Sequence, residues 1–186
     1  IMLNDTTDWE YWGRYVYAES WEPITTFLGT FDGQGHTISG LYIHGQADKD
    51  YTNTGLFGVV GIPEEDANAK ICNVGIKASV FDLREITKRG DKIGLLAGNF
   101  LDGSASQCFA HGKIVGNNIY YYIGGLIGLL GGQKVIQYGE AIVTDCYARV
   151  DIISTSQGVL GGVIGRNERT VLNNSFAAGR GWRYGA

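Results

Sequence analysis

The apolar positions of this chain fall in short runs that are rich in β-branched and aromatic residues and are bounded by Gly, Asn and Asp. Apolar and polar residues alternate with a period of two along 37–43, around 113–115 and along 148–152. This alternation is typical of β-strands that have one buried face. No window of helical length shows a capped apolar stripe with a period of about 3.6 residues. The pattern therefore predicts an all-β fold of short strands.

A glycine-flanked apolar block occurs four times. Its closing glycines are 40, 30 and 37 positions apart, from 58 to 98, from 98 to 128 and from 128 to 165. A repeat of about 35 residues built from short strands indicates a β-solenoid, in which successive coils stack equivalent positions on one another. Middle residues such as Leu126 and Val163 are then expected to point inward. The four blocks lie at 55–58, 95–98, 125–128 and 162–165.

A second short block follows the glycine blocks and has a small residue at its second position. That residue is Cys108 or Cys146 in two copies and Ser175 in the last copy. A small, weakly polar residue at a stacked position predicts buried, free thiols. A disulfide or a metal site is not expected, because the chain lacks a CxxC pair and no His stands at ligand spacing from a Cys. The copies lie at 107–110, 145–148 and 174–177, and 71–74 is interpreted as a degraded fourth copy.

Three carboxylates near the repeat blocks are candidates for chemistry. Asp32 begins an Asp-Gly-Gln-Gly turn that resembles turns in polysaccharide-cleaving β-helices, and Asp102 and Asp145 are the other acids near the blocks. Glycoside hydrolysis needs two carboxyl groups at a set separation. At the block position of Asp145, however, the other copies carry Gln107 and Asn174, which favours a stack of polar turn residues over an acid–base pair. We therefore predict no catalytic residue and no cofactor.

The first part of the chain differs from the rest. Residues 1–36 are interpreted as an aromatic-rich N-terminal cap or first coil, and residues 37–186 as one continuous solenoid. Atypical sequence at a solenoid end is expected to cap the apolar interior, and lateral packing of the aromatic side chains is equally consistent with the pattern. A glycan-binding aromatic surface is the alternative. On that alternative the weak ligand-contact candidates are Trp9, Trp12, Tyr15, Trp21 and, further along, Tyr121.

Charge and hydropathy narrow the range of partners. The net charge is −4, and no basic stripe is present, which argues against nucleic acid. Residues 1–66 carry 11 acidic and 2 basic side chains (net −9), whereas residues 149–186 carry 2 acidic and 5 basic ones (net +3). The most apolar stretch, 119–132, has 14 residues and contains Gly-Gly pairs. A membrane-spanning helix needs about 20 apolar residues, so no membrane span is predicted.

Polar inserts lengthen the repeat beyond what three short strands need. In solenoids such insertions form loops, often on one face, and loops are the most variable surface of a domain. We therefore expect long loop insertions between the strands. The inserts are 45–54, 61–70, 84–92 and 131–140.

Several of these motifs together resemble the GLUG repeats of bacterial surface proteins. The resemblance rests on Trp21-Glu22-Pro23-Ile24, on the segment 31–41 and on the block 55–58, and it extends over nearly the whole chain. It implies a right-handed parallel β-helix, of the kind found beside zinc peptidases that cleave immunoglobulin A and in adhesin-like secreted proteins. It also implies an extracellular or cell-surface location. The His-Glu-x-x-His zinc motif of those peptidases is absent from this sequence.

The sequence thus favours a non-enzymatic β-helical module of a bacterial surface or secreted protein that acts as an adhesin, stalk or spacer. One alternative is a structural subunit that assembles end to end into a fibre, and another is a carbohydrate-active β-helix. The expected partners are the rest of a longer parent protein or further copies of the chain, and a host protein or glycan is a further candidate. The chain begins on Ile1-Met2-Leu3 without a polar lead-in, which is consistent with the interior of a longer protein or a processed product.

Overall fold

The computed structural model describes residues 1–14, 18–46, 52–62, 68–85, 90–116, 119–131, 141–155, 158–168 and 170–183. These residues form an all-β solenoid of parallel sheets, which confirms the predicted fold class. Its one described helix is a three-residue 3-10 turn, Trp9–Tyr11. The described residues contain no helix of the length and apolarity that a membrane span requires.

Each pass of the chain around the solenoid, called a coil below, adds to four parallel sheets. Sheet I contains β1 (Ile24–Phe27), β6 (Phe57–Val60), β10 (Ala97–Phe100), β14 (Ile127–Leu130) and β18 (Ile164–Asn167). Sheet II contains β2 (Thr30–Asp32), β7 (Lys70–Cys72), β11 (Ser104–Ser106), β15 (Ile142–Thr144) and β19 (Val171–Asn173).

Sheets III and IV complete the coils. Sheet III contains β3 (Thr37–Ser39), β4 (Tyr42–His44), β8 (Gly75–Leu83), β12 (Phe109–Gly116), β16 (Tyr147–Ser154), β20 (Phe176–Ala177) and β21 (Gly181–Arg183). Sheet IV contains β5 (Asn53–Thr54), β9 (Gly90–Ile93), β13 (Ile119–Gly124) and β17 (Val159–Gly161). Coil one is β1–β5, coil two β6–β9, coil three β10–β13, coil four β14–β17 and coil five β18–β21.

The glycine blocks stack in register at the start of sheet I. Phe57 pairs with Ala97, Ala97 with Ile127, and Ile127 with Ile164. The residues just before these positions are buried in one core that runs through the solenoid, which confirms that the blocks supply core residues. Gly98 is required by this close stacking, because a Cβ there would collide with the backbone nitrogen of Thr54. The stacked core residues are Leu56, Leu96, Leu126 and Val163.

The second block is also in register, but its copy in coil two is shifted by two residues from the predicted one. Phe109 pairs with Gly75, so the equivalent block is 73–76 and the interpretation of 71–74 as a copy is wrong. Cys72 pairs with Ser106, the last residue of the preceding strand, whereas Val74 stands at the position of Cys108. A strand end and the turn after it both accept small residues. Aligning the copies by their Cys residues therefore gave the wrong register for coil two.

The predicted buried, free thiols are confirmed. Cys72, Cys108 and Cys146 are all buried and unpaired by disulfides. The Cys108 and Cys146 thiols face the same interior from neighbouring coils. The hydrogen bond with the Cys146 thiol, together with burial, raises the pKa of the Cys108 thiol. The Cys108 thiol is therefore protonated and unreactive in the folded protein.

The N-terminal segment both caps the solenoid and packs along its side. At the end of the stack, the Leu3 amide donates to the Ser39 carbonyl over 2.9 Å. Along the side, Trp12 is 4% exposed and packs with Tyr42 and Val80 in a second, small core on the outer face of sheet III. The first coil begins at Ile24, so residues 1–36 include the first two strands as well as the capping chain.

An ion pair between a buried carboxylate and a partly exposed guanidinium group anchors this segment. The Arg84 Nε lies 2.8 Å from the Asp82 Oδ1, and Asp82 is 3% exposed. The same guanidinium group donates to the Gly13 carbonyl of the N-terminal segment. The predicted polar inserts fall largely outside the described residues, at 47–51, 63–67, 86–89 and 132–140.

Candidate functional site

The outer face of sheet III carries rows of aromatic, basic and acidic side chains. Along β12 and β16, inward residues are buried and every second residue faces out. Because the strands are parallel and in register, outward residues of neighbouring coils form rows about 4.8 Å apart. The rows pair Phe109 with Tyr147, His111 with Arg149, and Lys113 with Asp151.

An aromatic stack forms the first row. The rings of Phe109 and Tyr147 are nearly parallel, with centroids 5.1 Å apart and 6° between planes. Phe176 continues the stack at 5.4 Å and 9° from Tyr147. In coil two the equivalent residue is Gly75, where a Cβ would collide with the Phe109 ring. Since the rings cover each other's faces, this row stabilises the stack of coils and leaves ring edges to solvent.

A polar cleft lies beside this row and is called the His111 cleft below. Its volume is about 400 Å³. One wall is the short 3-10 helix of the N-terminal segment, and the floor is formed by β12, β16 and the residues that link β20 to β21. The side chains that define it are Trp9, Glu10, His111, Arg149, Asp151 and Arg180.

His111 and Trp9 form the aromatic part of the cleft. Their ring centroids are 5.4 Å apart with 68° between planes, an edge-on contact. Burial lowers the pKa of His111, and the nearby charges of Arg149 and Lys77 lower it further. Asp151 and Glu10 act in the opposite direction, with a smaller effect. His111 is therefore a neutral imidazole at pH 7, able to donate or accept one hydrogen bond.

Two guanidinium groups supply the positive charge of the cleft. Arg149 and Arg180 are exposed, and among the described residues neither side chain forms an ion pair or a hydrogen bond with a protein group. The Arg180 backbone amide donates to Asp151 Oδ1 over 3.0 Å, which holds the Asp151 carboxylate against the backbone of coil five. The cleft thus offers donors and acceptors that the protein itself leaves open.

The sequence-predicted contact residues are dispersed. Trp9 lines the His111 cleft, whereas Trp12 is buried against Tyr42. Trp21 is half-buried, and its indole N–H donates to the Leu56 carbonyl over 3.2 Å. Tyr15 and the side chain of Tyr121 lie outside the described residues. The sequence alone does not group His111, Arg149 and Arg180, because only the register of coils three to five brings them together.

The polar turn stack predicted at the second block is confirmed. Asn73, Gln107, Asp145 and Asn174 all have a left-handed backbone, with φ of 54°, 53°, 54° and 44°. Each begins the turn between sheets II and III in its coil. Asn and Asp tolerate this conformation better than most residues, which explains their recurrence at this position.

The candidate carboxylates stand apart from one another. Asp32 accepts hydrogen bonds from the Asn73 side chain (3.0 Å) and the Gln34 amide (2.9 Å), and these lower the pKa of Asp32. Asp145 lies directly after the strand position that is equivalent to Asp32, three coils further along the stack. At about 4.8 Å per coil, the two aspartates are separated by roughly 14 Å. This exceeds the separation of about 5–9.5 Å in glycosidase pairs. Asp102 is 4% exposed and accepts from the Gly103 amide.

The other histidines are isolated from the cleft. His36 is exposed in the turn after Asp32, and His44 Nε2 lies 3.6 Å from a Glu85 carboxylate oxygen. Within the described ranges, no three His, Cys, Asp or Glu side chains are grouped in a way that could hold a metal ion.

A second cavity of about 550 Å³ opens at the coil-one end of the solenoid. It is largely apolar and is lined by Ile1, Phe31, Ile38 and Val74 together with the turn around Gln34. Ile38 and Val74 belong to the main core, so this cavity exposes the end of the solenoid interior.

Comparison with known proteins gives one similar protein. Over 127 residues the chain is 31% identical to halomucin of Haloquadratum walsbyi. The aligned region covers 68% of this chain and 1% of halomucin, so the chain corresponds to a very small part of that protein. No protein-family model matches the chain. No solved structure matches it.

Proposed function

We propose that this chain is a structural β-solenoid module of an extracellular or cell-surface protein of the GLUG-repeat type, acting as an adhesin, stalk or spacer. The observation that carries the proposal is the in-register stacking of the glycine blocks around one continuous core. Each coil extends the module by about 4.8 Å without changing its cross-section. The similarity to a small part of halomucin supports a module that serves within a much larger protein.

A stalk or spacer of this kind fixes the distance between the groups attached at its two ends. To test this, the chain is displayed between a membrane anchor and a fluorescent tag, and energy transfer from the tag to a membrane dye reports the tag height. The matched control replaces the module with a Gly-Ser linker of equal residue number, which behaves as a flexible coil. We expect a narrow height distribution for the module and a broad one for the linker. Equal breadth for both would contradict a stalk or spacer role.

The proposal includes no catalysis by this chain. The lowered pKa of Asp32 keeps its carboxyl ionised, whereas a general acid needs a raised pKa. We expect no release of reducing sugar when the purified chain is incubated with polysaccharides. Release of reducing sugar by the unsubstituted chain, together with its loss in Asp32→Asn or Asp145→Asn, would favour the carbohydrate-active alternative.

End-to-end assembly of copies is a second candidate function, favoured by the apolar surfaces at the two ends of the described stack. Leu172 and Phe176 in coil five are 40% and 61% exposed, and the cavity at coil one is apolar. The segments bearing these surfaces carry opposite net charge, −9 for residues 1–66 and +3 for residues 149–186. A head-to-tail contact does not close, so it would grow a fibre.

Sedimentation across a salt series tests this candidate. Exposed charges are screened over about 8–10 Å near physiological ionic strength, so assemblies should shrink as salt rises. The variant Phe176→Ser, which removes exposed apolar surface, should also reduce assembly. A monomer at low salt and high concentration would eliminate the fibre and leave the surface module.

A further inference from the structure

We propose that the His111 cleft binds a sugar that bears a carboxylate, such as a uronic or sialic acid residue. The inference goes beyond the stalk or spacer role and does not depend on it, because a rigid module can carry a ligand cleft on one face. It rests on the volume and polar lining of the cleft, on two guanidinium groups without a protein partner among the described residues, and on the equal number of acidic and basic side chains that line it.

The size and the polar lining of the cleft favour a small polar ligand over an apolar one. About 400 Å³ lies within the range of about 300–1,000 Å³ typical of small-molecule sites. The cleft is open to solvent and is lined mainly by charged and polar groups, so an apolar ligand would lose hydration without finding apolar partners. A hydrated ligand with many hydroxyl groups meets this lining better.

The guanidinium groups select an anion. Arg149 lies next to His111 on the neighbouring strand, and Arg180 follows on coil five beside Asp151. A guanidinium group presents two parallel N–H donors that match the two oxygens of a carboxylate. Since neither group has a protein partner among the described residues, a bound carboxylate would replace only water.

The carboxylates of the cleft limit the charge of the ligand. Asp151 and Glu10 balance Arg149 and Arg180, so the charged lining is neutral overall while His111 is neutral. A polyanion such as nucleic acid or a heavily sulfated chain would meet repulsion from these two carboxylates. A monoanion with hydroxyl groups can place its carboxylate on the arginines and donate its hydroxyls to the acids.

Trp9 adds the aromatic contact that sugar rings use. It is half-buried at the cleft wall and is held edge-on to His111, so it is positioned before a ligand arrives. The neutral imidazole of His111 offers a further hydrogen bond to a hydroxyl group. An extended acidic peptide would use the arginines but has few groups to donate to Asp151 and Glu10.

The test titrates the whole chain with 3′-sialyllactose, with a glucuronate-containing disaccharide and with lactose, followed by ligand-observed NMR and tryptophan fluorescence. We expect at least one carboxylated sugar to bind at least about ten-fold more tightly than lactose. Arg149→Ala and Arg180→Ala should each weaken that binding about ten- to a hundred-fold. Arg149→Lys, which keeps the charge but loses the two-donor geometry, should weaken it less than Arg149→Ala.

The matched control is Lys70→Ala, which removes an exposed positive charge from sheet II and should change binding by less than about two-fold. Circular dichroism and thermal melting check that every variant is folded. The proposal is overturned if neither carboxylated sugar saturates binding below about 10 mM. It is also overturned if the arginine variants bind like the unsubstituted chain, or if a glutamate-rich peptide binds as tightly as the sugars.

Discussion

At the scale of single residues, the stack depends on side chains that repeat at equivalent positions. Leu126 has no exposed surface and lies between Leu96 and Val163 in the core. We expect Leu126→Asp to unfold the protein, because an unpaired buried charge costs several kcal/mol, on the order of the total stability of a domain. Urea denaturation followed by circular dichroism measures the loss.

The control for this change is Ile142→Asp in the same coil. Ile142 is 37% exposed on the outer side of sheet II, so its carboxylate would remain hydrated. We expect a change within about 1 kcal/mol. Comparable losses of unfolding free energy in both variants would show that β-propensity, and not burial in the stack, explains the effect of Leu126→Asp.

Gln107 gives a second prediction at this scale, since it adopts φ of 53° without the short side chain that suits a left-handed backbone. Asn occupies the equivalent position in coils two and five. We expect Gln107→Asn to stabilise the protein by up to about 1 kcal/mol, and Gln107→Val to destabilise it by about 1–2 kcal/mol. Equilibrium urea unfolding of both variants compares the effects. Equal stability of the Asn and Val variants would contradict a left-handed turn at this position.

At the scale of elements, the strands that alternate most clearly were the most predictable. The segments 113–115 and 148–152 lie in β12 and β16, whose residues alternate between buried and outward positions as expected. The segment 37–43 is interrupted, because Gly40 has φ of +76° and separates β3 from β4. Period-two alternation predicts that strands exist, whereas the positive φ of Gly40 decides where β3 ends.

The coils themselves can be tested by removing one. Deleting residues 98–127 joins Ala97 to Gly128, and thus places Gly128 at the stacked position of Gly98. We expect this variant to remain folded and mainly β, with lower stability, because coils two and four can then stack in the same register. Circular dichroism and urea denaturation provide the measurement.

The matched control deletes residues 98–126 and places Ile127 at the position of Gly98. A side chain there would collide with the backbone nitrogen of Thr54. One residue of difference also moves side chains to the opposite face of a strand. We expect the control to be much less stable than the in-register deletion. Equal stability of the two would contradict the stacking described for sheet I.

At the scale of the whole molecule, the sequence predicted the solenoid and the core positions of its repeated blocks, but only part of the candidate site. Repeated blocks fix which positions stack, so Leu126 and Cys146 could be placed in the interior without a structure. The His111 cleft depends on how the N-terminal segment folds back along sheet III, which joins Trp9 to residues about a hundred positions or more away. No periodicity in the sequence encodes that contact.

The stacking of the coils also defines the dimensions of the molecule. Thr26 and Arg166 occupy equivalent exposed positions of sheet I in coils one and five, through the register pairs with Val59, Asn99 and Leu129. Four steps of about 4.8 Å place their Cα atoms roughly 19 Å apart. An unfolded or differently folded chain would separate these positions, which are 140 residues apart in sequence, by a much greater or a variable distance.

The in-register stack of coils is therefore tested most directly by a distance, measured by electron–electron double resonance between spin labels at Thr26→Cys and Arg166→Cys. The unsubstituted chain is the labelling control, because its three thiols are buried and should take up no label in the native state. The stacked coils predict one narrow distance distribution centred near 20 Å, allowing for the label arms. A broad distribution, or a maximum beyond about 30 Å, would contradict the in-register stack of coils.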